Sequence, residues 1–376
     1  MYKKLFTSVL VLFLFSMLAC VSNLQVLPAT PLAAPIEISN ESESLSAVEK
    51  PLPTCADEEL LCIGLVIDAG QINDKSFNQS AWKGAKRAEA DLAARVDYVE
   101  ALTSSDPIDT IEHFVEKDYD VIVTVGFNWS SSTIEAAQKY PEIYFVGVDQ
   151  YQAEELQNIV GLIFPEAKAG FLAGALAAMI SETGTIGGVF GTDIAPPIVA
   201  FKEGFEAGAY AINPEINVLT SYHPGEISAA FSDPIWGAET ARGMLDEGAD
   251  VIFAAGGRTG NGALVEVATN SEAFCIGVDA DQWLGIPEAQ PCLVSSAMKQ
   301  ISNGVFELIA RSLIENTPAG NFIGEVELAP FHGFDDSVTA EAKAVLKELD
   351  KKLAIDEIPL DGSYIYKDPP SIAIDR

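Results

Sequence analysis

The chain has 376 residues, 48% hydrophobic and 20% charged, enough for two domains of ordinary size with a core each. Its 55 acidic residues against 22 basic ones give a formal net charge of -33. Such a surface repels polyanions, which makes nucleic acid and anionic membrane surfaces poor candidates for partners.

In chain order, Lys3 and Lys4 precede an apolar run from Leu5 to Ala19 that stops at Cys20. A basic start, a short apolar stretch and a small residue before the cut describe a secretory signal over residues 1–19. The run is shorter than the ~20 residues of a spanning helix. Met17-Leu18-Ala19-Cys20 resembles a bacterial lipobox, with Cys20 as the lipidated first residue of the mature chain. Residues 20–57 are rich in Ser, Pro, Ala and Glu without a sustained period. They are expected to form a flexible tether, because they cannot bury enough apolar surface to offset chain entropy. With Cys20 lipidated, Cys55, Cys62, Cys275 and Cys292 remain, and four cysteines allow three pairings. The sequence-local one, Cys55 with Cys62 and Cys275 with Cys292, closes two short loops and suits an oxidising compartment. No C-x-x-C spacing occurs and His113, His223 and His332 are scattered, so no metal site is expected.

From Cys62 onward, short β-branched runs alternate with segments of helical period. Strands are predicted at Cys62–Asp68, Val96–Ala101, Asp120–Gly126, Ile143–Asp149, Thr185–Gly191, Val218–His223, Asp250–Gly256 and Phe274–Asp279. Helices are predicted at Ser76–Ala94, Ser130–Tyr140, Pro197–Ile212 and Gly260–Thr269. The strands are almost wholly apolar, as strands covered on both faces must be. The alternation implies an α/β fold with parallel sheets and right-handed crossovers. An internal repeat is visible: D-V-I-V-T-V-G at Asp120–Gly126 runs to G-V-D ending at Asp149, and D-V-I-F-A-A-G at Asp250–Gly256 runs to G-V-D ending at Asp279, over equal lengths. The repeat predicts two similar doubly wound lobes, with Asp149 and Asp279 at matching strand ends.

In open parallel sheets ligands bind beyond the carboxyl ends of the strands. Facing lobes would therefore turn Asp68, Gly126-Phe127, Asp149, Gly256-Gly257 and Asp279 toward one cleft. The polar loop Ala69–Asn78 runs into a helix N-terminus, where free backbone N–H groups are expected to face the ligand. Phe77 in that first turn is either a core residue or an aromatic wall for a planar ligand. The glycines around Gly257 miss the G-x-G-x-x-G register of dinucleotide sites, and are read as allowing close backbone approach. No G-x-S-x-G elbow, H-E-x-x-H helix or phosphate-binding G-x-x-x-x-G-K-[ST] loop is present, and three histidines leave few acid–base groups near neutral pH. A binding protein without a cofactor, not an enzyme, is expected.

The stretch Asp68–Trp82, D-A-G-Q-I-N-D-K-S-F-N-Q-S-A-W, resembles the opening motif of the basic membrane protein family, bacterial substrate-binding lipoproteins that include purine nucleoside receptors. T-V-G-F at Thr124–Phe127, K-A-G-F-L-A-G at Lys168–Gly174 and F-K-E-G-F-E-A-G at Phe201–Gly208 extend the resemblance. G-G-R-T-G-N-G at Gly256–Gly262, G-V-D-A-D-Q at Gly277–Gln282, S-A-M-K at Ser296–Lys299 and A-P-F-H at Ala329–His332 complete it. Arg258 interrupts the commoner G-G-T-G-N-G form and is expected to face the cleft.

The resemblance implies a type I periplasmic-binding fold of two lobes joined by three crossing segments, near Val160–Phe164, Leu293–Ser296 and Leu328–Phe334. Residues 58–162 with 295–328 would form the first lobe, 163–294 with 329–353 the second, and 354–376 a C-terminal extension. It further implies that Phe77 and Phe201 sandwich a purine, with Phe127 beside them. Asp68 and Asn73 would meet the base edge, and Asn78 would also contact the ligand. Asp149, Asp279 and Lys299 would hold the sugar hydroxyls, with Gly257 in close backbone contact. The implied protein is a monomer tethered to the membrane by its N-terminal lipid. It would capture a nucleoside for the permease of an ABC importer; the alternative is a sensory receptor reporting to a membrane signalling partner.

Overall fold

The structure, a computed structural model, describes residues 54–57, 59–67, 70–100, 107–314, 318–358 and 360. The predicted signal, Cys20, most of the tether, Asp68 and the extension beyond 360 lie outside the described residues.

The elements of the first half are β1 (Cys62–Ile67), α1 (Phe77–Leu92), β2 (Arg95–Glu100), α2 (Pro107–Val115), β3 (Val121–Val125), α3 (Ser130–Lys139), β4 (Tyr144–Val148) and β5 (Ile159–Ile163). Then come α4 (Glu166–Ile180), β6 (Thr185–Phe190), α5 (Pro196–Ile212), β7 (Asn217–Tyr222), α6 (Ile227–Ala230), α7 (Pro234–Asp246), β8 (Val251–Ala255), α8 (Gly257–Asn270) and β9 (Phe274–Asp279). The chain closes with α9 (Gln282–Gly285), β10 (Leu293–Lys299), α10 (Ile301–Arg311), β11 (Gly320–Ile323), β12 (Val326–Leu328) and α11 (Ala340–Ala354).

These strands form two sheets, ordered β11-β5-β4-β3-β1-β2 and β12-β10-β9-β8-β6-β7. The repeat occupies equivalent places in both. Val121 pairs with Tyr144 and Val251 with Phe274, at the same spacing. The inner strands β1, β3, β4, β5 and β8 are buried at every residue, as sheets covered by helices on both faces require. Edge strand β2 reads R-V-D-Y-V-E and is buried only at Val96, because it pairs with a neighbour on one side alone.

The chain passes between the sheets at Phe164-Pro165, at Gln300 and at Gly324-Glu325. The three passages are bonded together: Gln300 N donates to Glu325 O at 2.9 Å and Gly324 N to Ile163 O at 2.8 Å. This corrects two of the expected crossings. Leu293–Lys299 is a full strand of the second sheet, paired with β9 and antiparallel to β12, so the chain changes lobe after Lys299 and returns before Val326. Residues 293–299 and 326–328 therefore belong to the second sheet, whereas 295–328 was expected in the first lobe. Helix α10 does lie with the first lobe, where Ile301, Val305 and Leu308 pack with Ile63, Val123, Val146 and Leu162.

Helices α4 and α5 lie against one another in the second lobe through glycines. A Cβ on Gly170 would come within 2.3 Å of Phe201 O, on Gly204 within 2.1 Å of Ala167 O, and on Gly208 within 1.9 Å of Phe171 O. Removing side chains at these three positions lets the backbones touch, and that contact fixes where Phe201 of α5 stands. Phe205 stacks on Phe253 beneath it, with ring centroids 5.1 Å apart. Among the described residues no helix is long and apolar enough to cross a membrane.

Candidate functional site

Asp149, just past β4, and Asp279, the last residue of β9, both have left-handed backbones, with φ of 59° and 62°. Aspartate tolerates this region better than most side chains. Each turn is held by a glutamine, Gln150 directly after Asp149 and Gln282 three residues after Asp279. Gln150 Nε2 donates to Thr124 O (3.1 Å) and Gly126 O (2.9 Å); Gln282 Oε1 accepts from Val278 N (2.9 Å). The turns direct both carboxylates into a cleft between the lobes.

Each of these aspartates is bonded by the opposite lobe. Lys299 Nζ, at the end of β10 in the second lobe, donates to Asp149 Oδ1 and Oδ2 of the first at 2.7 and 2.6 Å. Ser76 Oγ of the first lobe donates to Asp279 Oδ2 of the second at 2.6 Å. Two further bonds cross the cleft: Asn261 Nδ2 donates to Asp74 O (2.7 Å) and Gln282 Nε2 to Lys75 O (3.2 Å). The lobes are thus closed on each other. The same ammonium also donates to Glu166 Oε1 at 2.9 Å.

The cleft is lined by Asp74, Phe77, Asn78, Gly126, Phe127, Asp149, Ala195, Pro197, Ile198, Phe201, Phe231, Gly256, Gly257, Asp279 and Lys299. It therefore gathers Phe77, Asn78, Phe127, Asp149, Phe201, Gly257, Asp279 and Lys299 from positions spread over much of the chain. Gly257 has φ of 55° and stands against Phe231 O, a place that favours glycine. The helix after β8 begins at Gly257, three residues before the expected start, so the glycine run forms its first turn.

Asn73 is exposed and lies outside the lining, contrary to expectation. Asp74 takes its place: Asp74 N closes a turn onto Gln71 O, which leaves Asn73 at the outer tip and buries the next side chain. The Asp74 carboxylate accepts from the backbone N of Ser76 (2.9 Å), Asn78 (2.9 Å) and Gln79 (3.1 Å). Backbone donors that were expected to face a ligand are thus engaged by Asp74. Arg258 lines a separate groove between α7 and α8 and is absent from the cleft lining, a second correction. Phe231, from the segment before α7, adds an aromatic wall that no sequence period marks.

The cleft is strongly acidic. Burial raises Asp74 to about 6 against the pull of its three backbone bonds, and Asp279 adds to the rise. Burial pushes Asp149 and Asp279 up as well, opposed by Lys299. Burial raises Glu166 to about 7, with Lys299 pulling down and Asp149 pushing up. Burial alone would lower Lys299, but Asp149, Glu166 and Asp279 together hold it above the ordinary lysine range. The ammonium also lies 5.1 Å from the Phe77 ring centre and 4.8 Å from that of Phe164. Carboxylate acceptors, one ammonium and several aromatic faces suit a ligand that carries both hydroxyl donors and a flat ring.

Away from the cleft, disulfides join Cys55 to Cys62 and Cys275 to Cys292, with Cα–Cα distances of 5.7 and 5.1 Å. Among the described residues no cluster of His, Cys, Asp or Glu could hold a metal ion.

A family model described as "ABC transporter substrate-binding protein PnrA-like" matches residues 63–324. Basic membrane protein A1 of Borrelia garinii subsp. bavariensis is 31% identical over 268 residues, spanning 70% of this chain and 76% of the relative. The ABC transporter nucleoside-binding protein BmpA of Lactococcus lactis subsp. cremoris is 27% identical over 314 residues, spanning 77% of this chain and 88% of the relative. A crystal structure of an ABC transporter solute-binding protein from Aeropyrum pernix K1 superposes with a TM-score of 0.71 at 24% identity, covering 79% of this chain and 92% of that one. That likeness shows a shared fold, the type I periplasmic solute-binding architecture of two parallel-sheet lobes.

Proposed function

Because the chain belongs to the PnrA-like family of ABC transporter substrate-binding proteins, we propose that it captures a purine nucleoside in its interlobe cleft and delivers it to the permease of an ABC importer. The observation that carries this reading is the meeting of Phe77, Phe201, Asp149, Asp279 and Lys299 in one cleft between two lobes. Stacking a base on an aromatic face contributes about 1–3 kcal/mol per base. Paired carboxylates accept the two hydroxyl protons of a ribose diol, and Lys299 offsets their charge. The nucleoside-binding name of the Lactococcus relative points the same way. Asp74 and Asn78 are the polar groups offered to the base edge, with Asp68 expected beside them. A ligand that touches both lobes stabilises the closed state, which a transporter can read.

We place the protein outside the cytoplasm, held to the membrane by lipid on Cys20, as the lipoprotein names of the Pyrococcus relatives suggest. Calorimetry with guanosine, adenosine, inosine, uridine and ribose tests the ligand. Heat is expected with the purine nucleosides; none with any of them removes the nucleoside reading and leaves the fold intact. Recovery of unchanged nucleoside after incubation with pure protein is expected of a carrier, whereas a cleaved product would make it an enzyme.

A further inference from the structure

We infer that Glu166, which lies outside the cleft lining, is a positioning residue that holds Lys299 in place for the ligand from within the second lobe. Glu166 is the first residue of α4, just past the passage at Phe164-Pro165; Lys299 is the last residue of β10, just before the passage at Gln300. Both belong to the second lobe and flank two of the passages about which the lobes move. Their side chains are buried, at 3% and 1% exposure. Three carboxylate oxygens lie within bonding distance of the Lys299 ammonium: two from Asp149 and one from Glu166. An ammonium has three N–H donors and no acceptor.

The two carboxylates differ in what happens when the lobes part. Asp149 leaves with the first lobe, while Glu166 stays. Asp279 also faces Lys299 and also stays, since β9 is in the same sheet as β10. An ammonium that lost Asp149 and had no Glu166 would swing on its four-carbon stem toward Asp279. Lysine and aspartate would then neutralise each other, and both sugar-binding groups of that lobe would be occupied before a ligand arrived. Glu166 prevents this by offering an acceptor behind the stem, beside the Phe164 ring that stacks on the same ammonium. Glu166 is itself buried, at the head of a helix whose next buried run, Ala169–Ala177, is wholly apolar, and an acid there needs a partner to be tolerated.

The affinity test rests on the nucleoside reading, so a second arm is independent of it. Glu166→Met keeps the volume and removes the acceptor; Glu166→Gln keeps an acceptor oxygen. Inosine and hypoxanthine affinities are compared for the full mature chain. Glu166→Met is expected to lose about tenfold or more of the preference for inosine over hypoxanthine, the scale of one charge-assisted hydrogen bond, and Glu166→Gln to stay within about threefold of the wild type. A folded Glu166→Met with an unchanged preference overturns the inference. So does a folded Glu166→Gln that loses the preference, and this second readout stands even if Glu166→Met fails to fold. In the second arm, the side-chain ammonium resonance of Lys299 is followed by 1H–15N NMR without ligand and assigned by its loss in Lys299→Gln. It is expected to exchange slowly in the wild type and Glu166→Gln, and quickly in Glu166→Met. Equal exchange in all three sinks the inference, even if no purine binds and the nucleoside reading has already failed.

Discussion

At the scale of single residues, the two phenylalanines of the proposed sandwich differ in what else they do. Phe77 is half-buried at the first turn of α1 and packs only at the edge of the first core. Phe201 is 1% exposed and meets Phe253 edge-on, with ring centroids 6.2 Å apart. Phe77→Ala is therefore expected to weaken purine nucleoside binding by about 1–3 kcal/mol with little change in melting temperature. Phe201→Ala should weaken binding and also destabilise the second lobe by about 3 kcal/mol or more, the usual cost of emptying an aromatic core position. Calorimetry paired with thermal melts separates the two; equal melting of both variants contradicts the assignment. Asp279→Asn keeps the Ser76 bond geometry but removes the charge. It is expected to weaken ribosides more than free bases in the same calorimeter, and an equal loss for both would remove Asp279 from the sugar site. Asp149 and Asp279 were legible in the sequence because a repeat marks them twice. Glu166 was not, since its meaning lies in a bond to a lysine 133 positions away. Asp74 was missed by one residue: in a turn, a step of one exchanges the inner face for the outer, and no period exists there to fix the phase.

At the scale of elements, the apolar alternation of the parallel strands carried the fold, and the passages between lobes left no such trace. L-V-S-S-A-M-K reads equally well as a crossing segment or as an inner strand, and only its pairing with β9 and β12 decides. The glycines of α4 and α5 are the reverse case: their spacing stands in the sequence, but their function appears only when the helices touch. Gly208→Ala would place a methyl 1.9 Å from Phe171 O, a backbone atom that cannot rotate away. The helices must then separate by about 1 Å, to bring the 1.9 Å approach to an allowed contact, and carry Phe201 with them. The expected cost is about 1–3 kcal/mol of stability together with a measurable loss of ligand affinity. A variant with lower melting temperature but wild-type affinity would show that Phe201 is not placed by this helix contact.

At the scale of the whole molecule, closure buries more negative charge than Lys299 can balance, and this makes the closed state sensitive to pH. Asp74 and Glu166 have ordinary values of 3.8 and 4.5 and stand at about 6 and about 7 in the closed fold. An acid raised in this way favours the folded state fully below its ordinary value, and the contribution is lost as pH rises through the raised value. Asp97, Glu112 and Asp233 are shifted the other way, so their contributions disappear only in more acidic solution. Burial raises Asp149 and Asp279 as well, so from pH 5 to pH 8 the buried acids of the cleft all lose stability in the same direction, roughly 1 kcal/mol of it from Asp74 at 1.36 kcal/mol per pH unit. The melting temperature of the chain without added ligand is expected to fall steadily over that range. Glu166→Gln cannot ionise and keeps its acceptor, so it should flatten the slope. A melting temperature that climbs from pH 5 to pH 8, or a slope untouched by Glu166→Gln, would mean that these carboxylates are already hydrated and that the lobes stand open in solution.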